Sequence, residues 1–158
     1  MTPSQVLLLT FLIGVVSGLR SITAPAVVAW AAHRNWLDLH NTPLSFMGST
    51  GAVVIFTLLA VVELIADKLP STPSRTKPLG LIARIILGGL SGAGVAVSGA
   101  QSIVRGTVLG AVGGIAGAFA GYEVRTRLVK ALKVPDLVIA LLEDAVAIGG
   151  GLFIVSRF

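Results

Sequence analysis

Six charged residues stand inside or at the edges of apolar runs: Arg20, Glu63, Asp67, Arg84, Glu143 and Asp144. Glu143 and Asp144 are neighbours in the stretch from about Leu137 to Val155, which carries no other charge. Glu63 and Asp67 are four apart and share one face of a helix. Arg20 interrupts the first apolar stretch at Gly18-Leu19-Arg20-Ser21, and Arg84 falls in the first turns of a later one. A charge at the centre of a bilayer costs ~2.5–3.5 kcal/mol on translocon scales, so such groups face a bundle interior or a wet cavity. Acids so placed can bind protons or cations. An arginine beside the start of a half-helix can bind an anion together with the helix's backbone donors. These six residues are therefore the candidate substrate or ion site. The competing reading is a structural network in which Arg20 or Arg84 pairs with Glu63 and Glu143 and locks helices together.

The adjacent acids should not play the same part. On a helix they point ~100° apart. One is expected to pair with a base while the other faces water or a neighbouring subunit. Glu143 has the longer reach and is the expected partner of Arg20 or Arg84.

Composition sets the environment. Of 158 residues, 54% are hydrophobic and only 12% charged, with a mean hydropathy of +0.94, against about 25% charged in soluble domains. The expected class is an all-α integral membrane bundle of about five transmembrane helices, one transmembrane domain over residues 1–158. There is no cysteine, which excludes disulfides and thiolate metal sites. The net charge of +5 comes mostly from bases between apolar segments, a pattern that sets orientation rather than binding nucleic acid. No Lys or Arg precedes the first apolar run and no small-residue cleavage site follows it, so a signal peptide is not expected.

Five segments must position the charges. The first, Gln5 to Trp36, would be ~50 Å long as one helix against a hydrocarbon core of ~30 Å. It is expected to kink or break between Gly18 and Pro25, since proline loses a donor and clashes one turn back. Trp30 and Trp36 suit an interfacial belt. The second span runs from about Gly48 to Leu69, and a Pro/Ser/Thr linker follows at Pro70–Pro78. The third covers about Leu79–Val97, the fourth Ile103–Tyr122 and the fifth Pro135–Val155. The fourth carries two glycine series, Gly106-Gly110-Gly114 and Gly113-Gly117-Gly121, whose spacing makes faces for close helix approach. Bases cluster after the second span and at Arg125, Arg127, Lys130 and Lys133. Both connections are expected to be cytoplasmic, with the N-terminus inside and Arg34, Arg105 and Arg157 outside. A re-entrant first segment would move the N-terminus to the other side. The order of crossings also allows an inverted repeat about the third span.

His33, His40 and Asp38 form only a weak metal signal, and no cofactor or metal is expected. No nucleophile–base constellation or phosphate loop is visible, so no enzyme activity is expected. At Gly18-Leu19-Arg20-Ser21, Glu63-Leu64-Ile65-Ala66-Asp67-Lys68-Leu69-Pro70 and Glu143-Asp144 the chain resembles a family of small bacterial membrane proteins known as a domain of unknown function. The resemblance implies the same architecture, a bacterial inner-membrane location and the same polar residues, and no activity. The expected function is a small transporter or channel-like protein, working as a homo-oligomer among membrane lipids. The alternative is a non-transporting structural or lipid-binding membrane protein.

Overall fold

The computed structural model describes residues 1–69 and 74–158. Among the described residues there are six α-helices and no strand: α1 (Pro3–Leu19), α2 (Thr23–His33), α3 (Thr50–Ala66), α4 (Pro78–Ser98), α5 (Ile103–Leu132) and α6 (Asp136–Val155). The fold is all-α. Helices α4, α5 and α6 are long and apolar enough to cross a membrane, and α1 and α3 are shorter apolar helices of 17 residues. Of the expected linker Pro70–Pro78, residues 70–73 lie outside the described residues.

Over Gln5–Trp36 the sequence favours one kinked or broken crossing, but the chain turns back on itself between Leu19 and Thr23. Helix α1 begins beside the end of α4, where Val6 packs on Gly99, and ends beside its start, where Arg84 donates to the Gly18 carbonyl at 3.0 Å. Helix α2 begins at the end of α3, with the Ser21 N–H 2.7 Å from Glu63 Oε1. It finishes at the start of α3, where His33 Nδ1 lies 2.9 Å from the Gly48 carbonyl. The two helices are therefore antiparallel, and the direction alternates along the chain. One end of the bundle holds the α1–α2 turn, Lys68, Ser74–Pro78 and Arg125–Pro135. The other holds Thr2, the 34–49 connection and Arg157. Thr2 thus lies at the end opposite the basic connections, which corrects the placement that follows from a single first crossing.

Pro25 explains the reversal. It sits in the first turn of α2, where a missing N–H breaks no helical bond. The Ser21 carbonyl, which a helical residue 25 would have used, instead accepts the Ser17 hydroxyl at 3.1 Å. Every residue of α2 except Trp30 and His33 is buried. Outward faces of α3 and α6 are apolar, with Ile55, Leu58, Val62, Leu142, Val146 and Phe153 all exposed.

Helix α5 is clamped between α1 and α4 through its two glycine series. A methyl group on Gly110 would collide with the Gly88 carbonyl and come within 2.9 Å of the Gly92 Cα; Gly106 lies against Gly92 and Ala93, and a Cβ on Gly114 would stand 2.5 Å from the Arg84 carbonyl. The other series faces α1: Gly113 lies on the Phe11 carbonyl and Gly117 on that of Val15. Backbones touch along this seam. Close packing is concentrated in α1, α4 and α5, whereas α1 and α2 touch little.

A Gly110→Ala change should destabilise the protein by about 1–3 kcal/mol or more, because the added methyl meets backbone that cannot rotate away. Gly149→Ala should be neutral, since nothing lies within 4 Å of a Cβ there. Thermal unfolding of both variants in one detergent checks this. Equal melting temperatures would contradict the seam.

Candidate functional site

Arg20 caps the C-terminus of α1 in an extended conformation and has no exposed surface. Leaving the helix at this residue swings its guanidinium into the space between α3 and α6. Nε donates to Asp144 Oδ1 at 2.5 Å, Nη1 donates to Asp67 Oδ2, and Nη2 lies 3.4 Å from the Ala140 carbonyl and 3.5 Å from Glu143 Oε2. One buried cation therefore meets three carboxylates. Further bases balance them. Lys68 Nζ reaches Asp144 Oδ2 at 2.5 Å and also the Leu64 carbonyl. Arg75 grips Glu143 with both terminal nitrogens, Nη2 to Oε2 at 2.8 Å. Arg125 lies 3.5 Å from the same Oε2 and binds Asp136 through Nε at 2.8 Å and Nη2 at 2.5 Å.

Glu63 behaves differently. It meets no base within 4 Å among the described residues, and its oxygens accept the N–H groups of Ser21 and Ile22 (2.7 and 2.8 Å) and the Ser21 hydroxyl. A carboxylate from α3 thus caps the start of α2, where the helix dipole favours negative charge. The backbone donors that the sequence reading offers to an external anion are taken by the protein's own acid.

Arg84 is brought alongside without pairing. Its Nε and Nη1 donate to the carbonyls of Gly18 and Gly80, each at 3.0 Å, and no carboxylate lies within 4 Å among the described residues. Five of the six expected residues therefore converge, and Arg84 sits at their edge. The expected division of labour between the adjacent acids is corrected: both are paired, Glu143 mainly with Arg75 and Asp144 with Arg20 and Lys68. Being ~100° apart gives each its own second base, Arg75 or Lys68, on either side of the Arg20 they share, rather than turning one to water. The expected pairing of Arg20 or Arg84 with Glu63 is replaced by the capping contact. Sequence reasoning passed over Lys68, Arg75, Arg125 and Asp136. Lys68 was visible as the residue after Asp67, and Asp136 as an acid directly after Pro135 at a helix start.

A cleft of about 1070 Å³ opens at this end of the bundle. It is lined by Ser21, Glu63, Asp67 and Arg84 together with Arg75, Lys77, Arg125, Lys130 and Asp136. A smaller pocket of about 280 Å³ at the opposite end is lined by Val27, Trp30, Trp36 and Leu152, with the Arg34 guanidinium 5.5 Å above the Trp30 ring. The histidines are not assembled into a site: His40 Nε2 lies 3.3 Å from Asn35 Oδ1, and no metal-holding group occurs among the described residues.

The family pattern described as a domain of unknown function (DUF4126) matches residues 7–156. The chain belongs to that family. No curated protein and no solved structure matches the chain. The resemblance carried by the Gly18–Ser21, Glu63–Pro70 and Glu143-Asp144 motifs thereby holds. In this DUF4126 chain the three motifs converge on one cluster, with Pro70 itself outside the described residues.

Removing one partner from a buried ion pair costs about 3–5 kcal/mol, and that loss is expected for both Asp144→Asn and Glu143→Gln. Asp136→Asn should cost under about 1 kcal/mol, because exposed pairs contribute little and the Asp136 side chain is 61% exposed. Melting temperatures of the three variants in the same detergent decide it. Wild-type stability in either buried variant would refute the assigned pairing.

Proposed function

We propose that the protein is a small transporter or channel-like protein of the bacterial inner membrane, in which the Arg20 cluster closes the inner end of the basic cleft to a small anionic solute. The observation that carries the reading is the position of the cluster. A fully buried arginine at a chain reversal is held by acids from two other helices, and its neighbour Ser21 and partner Asp67 line a cleft rich in bases in an otherwise apolar bundle. Charges inside membrane bundles commonly mark ion and substrate pathways. In this reading the basic end is cytoplasmic, by the excess of Lys and Arg there, and all six helices lie in the membrane region rather than five. Exposed Ala145 and Gly149 on α6 offer a face for a second copy. No catalytic step is part of the reading.

The second reading, a structural or lipid-binding membrane protein, is favoured by the pairing itself: every acid of the cluster is already satisfied from within. Purified protein in liposomes, assayed with a panel of small anions and cations, separates the two. Protein-dependent flux that Arg20→Gln abolishes is the expected result. Absence of flux across the panel would leave the structural reading.

Sidedness has its own test. Cysteines at Ser74 and Thr126 should be labelled only from the cytoplasmic face, and cysteines at Thr2 and Asp38 only from the other. Labelling at Thr2 from the cytoplasmic side would restore a single first crossing.

A further inference from the structure

Assigning each acid around the cleft to its partner leaves bases over. Asp67 is bound by Arg20, Asp136 by Arg125 and Glu63 by two backbone N–H groups and a hydroxyl. Arg75 is engaged by Glu143. Three cations that line the cleft then have no carboxylate within 4 Å among the described residues: Lys77, Arg84 and Lys130.

Arg84 is the unusual member of this set. It is only 6% exposed, and two backbone carbonyls are its hydrogen-bond partners. Its guanidinium folds back one turn along its own helix to Gly80, toward the N-terminus of α4. That is the positive end of the helix, where a cation is disfavoured and an anion favoured. Helix α4 also begins without a side-chain cap, so the N–H groups of Leu79 and Gly80 are left at the cleft wall. Glu63 also lines the cleft, and both its oxygens are already occupied. A buried arginine with no acid beside it, two exposed lysines and an uncapped helix start converge on one cavity.

We infer that this cleft binds a phosphate-type anion at the start of α4, held by Arg84 with Lys77 and Lys130. The inference rests on the anionic-solute reading above and names the ligand's class. A phosphate carries more than one charge and several acceptor oxygens, enough to engage the fork of an arginine, two ammonium groups and backbone donors together. A halide could not use that many donors at once. The cleft also has apolar walls at Leu69, Leu79 and Val129, so the phosphate can belong to a free solute or to the headgroup of a lipid lying against them.

The test is binding, which keeps it separate from flux. Purified protein in detergent is titrated with inorganic phosphate against chloride of matched ionic strength while the melting temperature is followed. In parallel, protein in nanodiscs of phosphatidylcholine is compared with protein in nanodiscs containing phosphatidic acid. A saturable rise with inorganic phosphate is expected, weakened about tenfold or more in the Lys77→Gln/Lys130→Gln variant. The Arg127→Gln/Lys133→Gln variant changes the same net charge at the same end outside the cleft and should keep the wild-type response. Arg84→Gln should abolish it, and if that variant does not fold the lysine pair still decides. A response to phosphatidic acid alone assigns the site to a lipid headgroup. No response to either probe, or equal loss in both double variants, overturns the inference. Saturable phosphate binding without phosphate flux in liposomes would keep the site and remove the transport reading.

Discussion

A guanidinium with no exposed surface in an apolar bundle is the constraint on which the rest depends. Arg20 cannot stay there alone, since an uncompensated buried charge costs several kcal/mol. Its three carboxylates come from the last turn of α3 and the first half of α6. Neutralising it therefore draws two helices, distant in sequence, onto the α1–α2 turn. Three acids around one arginine would be an excess of negative charge, and Lys68, Arg75 and Arg125 offset it from the outer side. The arrangement is layered: a central cation, a shell of carboxylates and an outer ring of bases, of which Arg75 and Arg125 line the cleft. Apolar burial fixes which helices associate. The charge layers fix their register, because each carboxylate has a specific nitrogen to reach.

The glycine seam supplies what the charges need beneath them. Helices α1, α4 and α5 approach until carbonyls and Cα atoms touch, which leaves little room for adjustment. Gly121 shows how the seam and the cluster join. A Cβ there would lie 2.6 Å from Leu19 Cδ2, 2.9 Å from Arg75 Nη1 and 3.1 Å from Glu143 Oε1. The last glycine of the series thus makes space for an ion pair rather than for a helix backbone. The rigid trio carries Arg20 and Arg84, while the acids Glu63, Asp67, Glu143 and Asp144 come from α3 and α6, which pack less closely. Opposite charges are divided between the tight part of the molecule and the looser part. Relative movement of the two would have to break ion pairs.

The identity of the charged residues was legible in the sequence, because a charge in an apolar run is costly and therefore informative. Their pairing was not. Helical periodicity tells which residues share a face, but Arg20 sits where the helix ends, and its side-chain direction follows from the extended backbone there. Pro25 is ambiguous for the same reason: within a helix it kinks, and in a first turn it is tolerated, and the residues around it fit both. Lys68 and Arg75 look like ordinary bases at span ends, where long side chains usually reach toward water. Here they reach inward, because unsatisfied carboxylates are there. Composition does not record that difference. The glycine series were legible in full, since a four-residue spacing of glycines has one strong structural use in an apolar helix.

The contrast between Arg20 and Arg84 bears on whether the charges only hold helices together. Arg20 is surrounded by acids, and a structural role would account for it. Lys77 and Lys130 are exposed at a span end, and orientation in the membrane would account for them. Neither explanation reaches Arg84. It is buried, so it is not an orientation signal, and among the described residues no carboxylate is within pairing distance, so it is not the base of a helix-locking pair. Its two carbonyl contacts satisfy donors without neutralising charge. It also stands near the positive end of its own helix, where a leucine would cost less. A residue so placed is explained if its charge is completed by something the chain does not itself supply, and the open cleft beside it is where that would arrive.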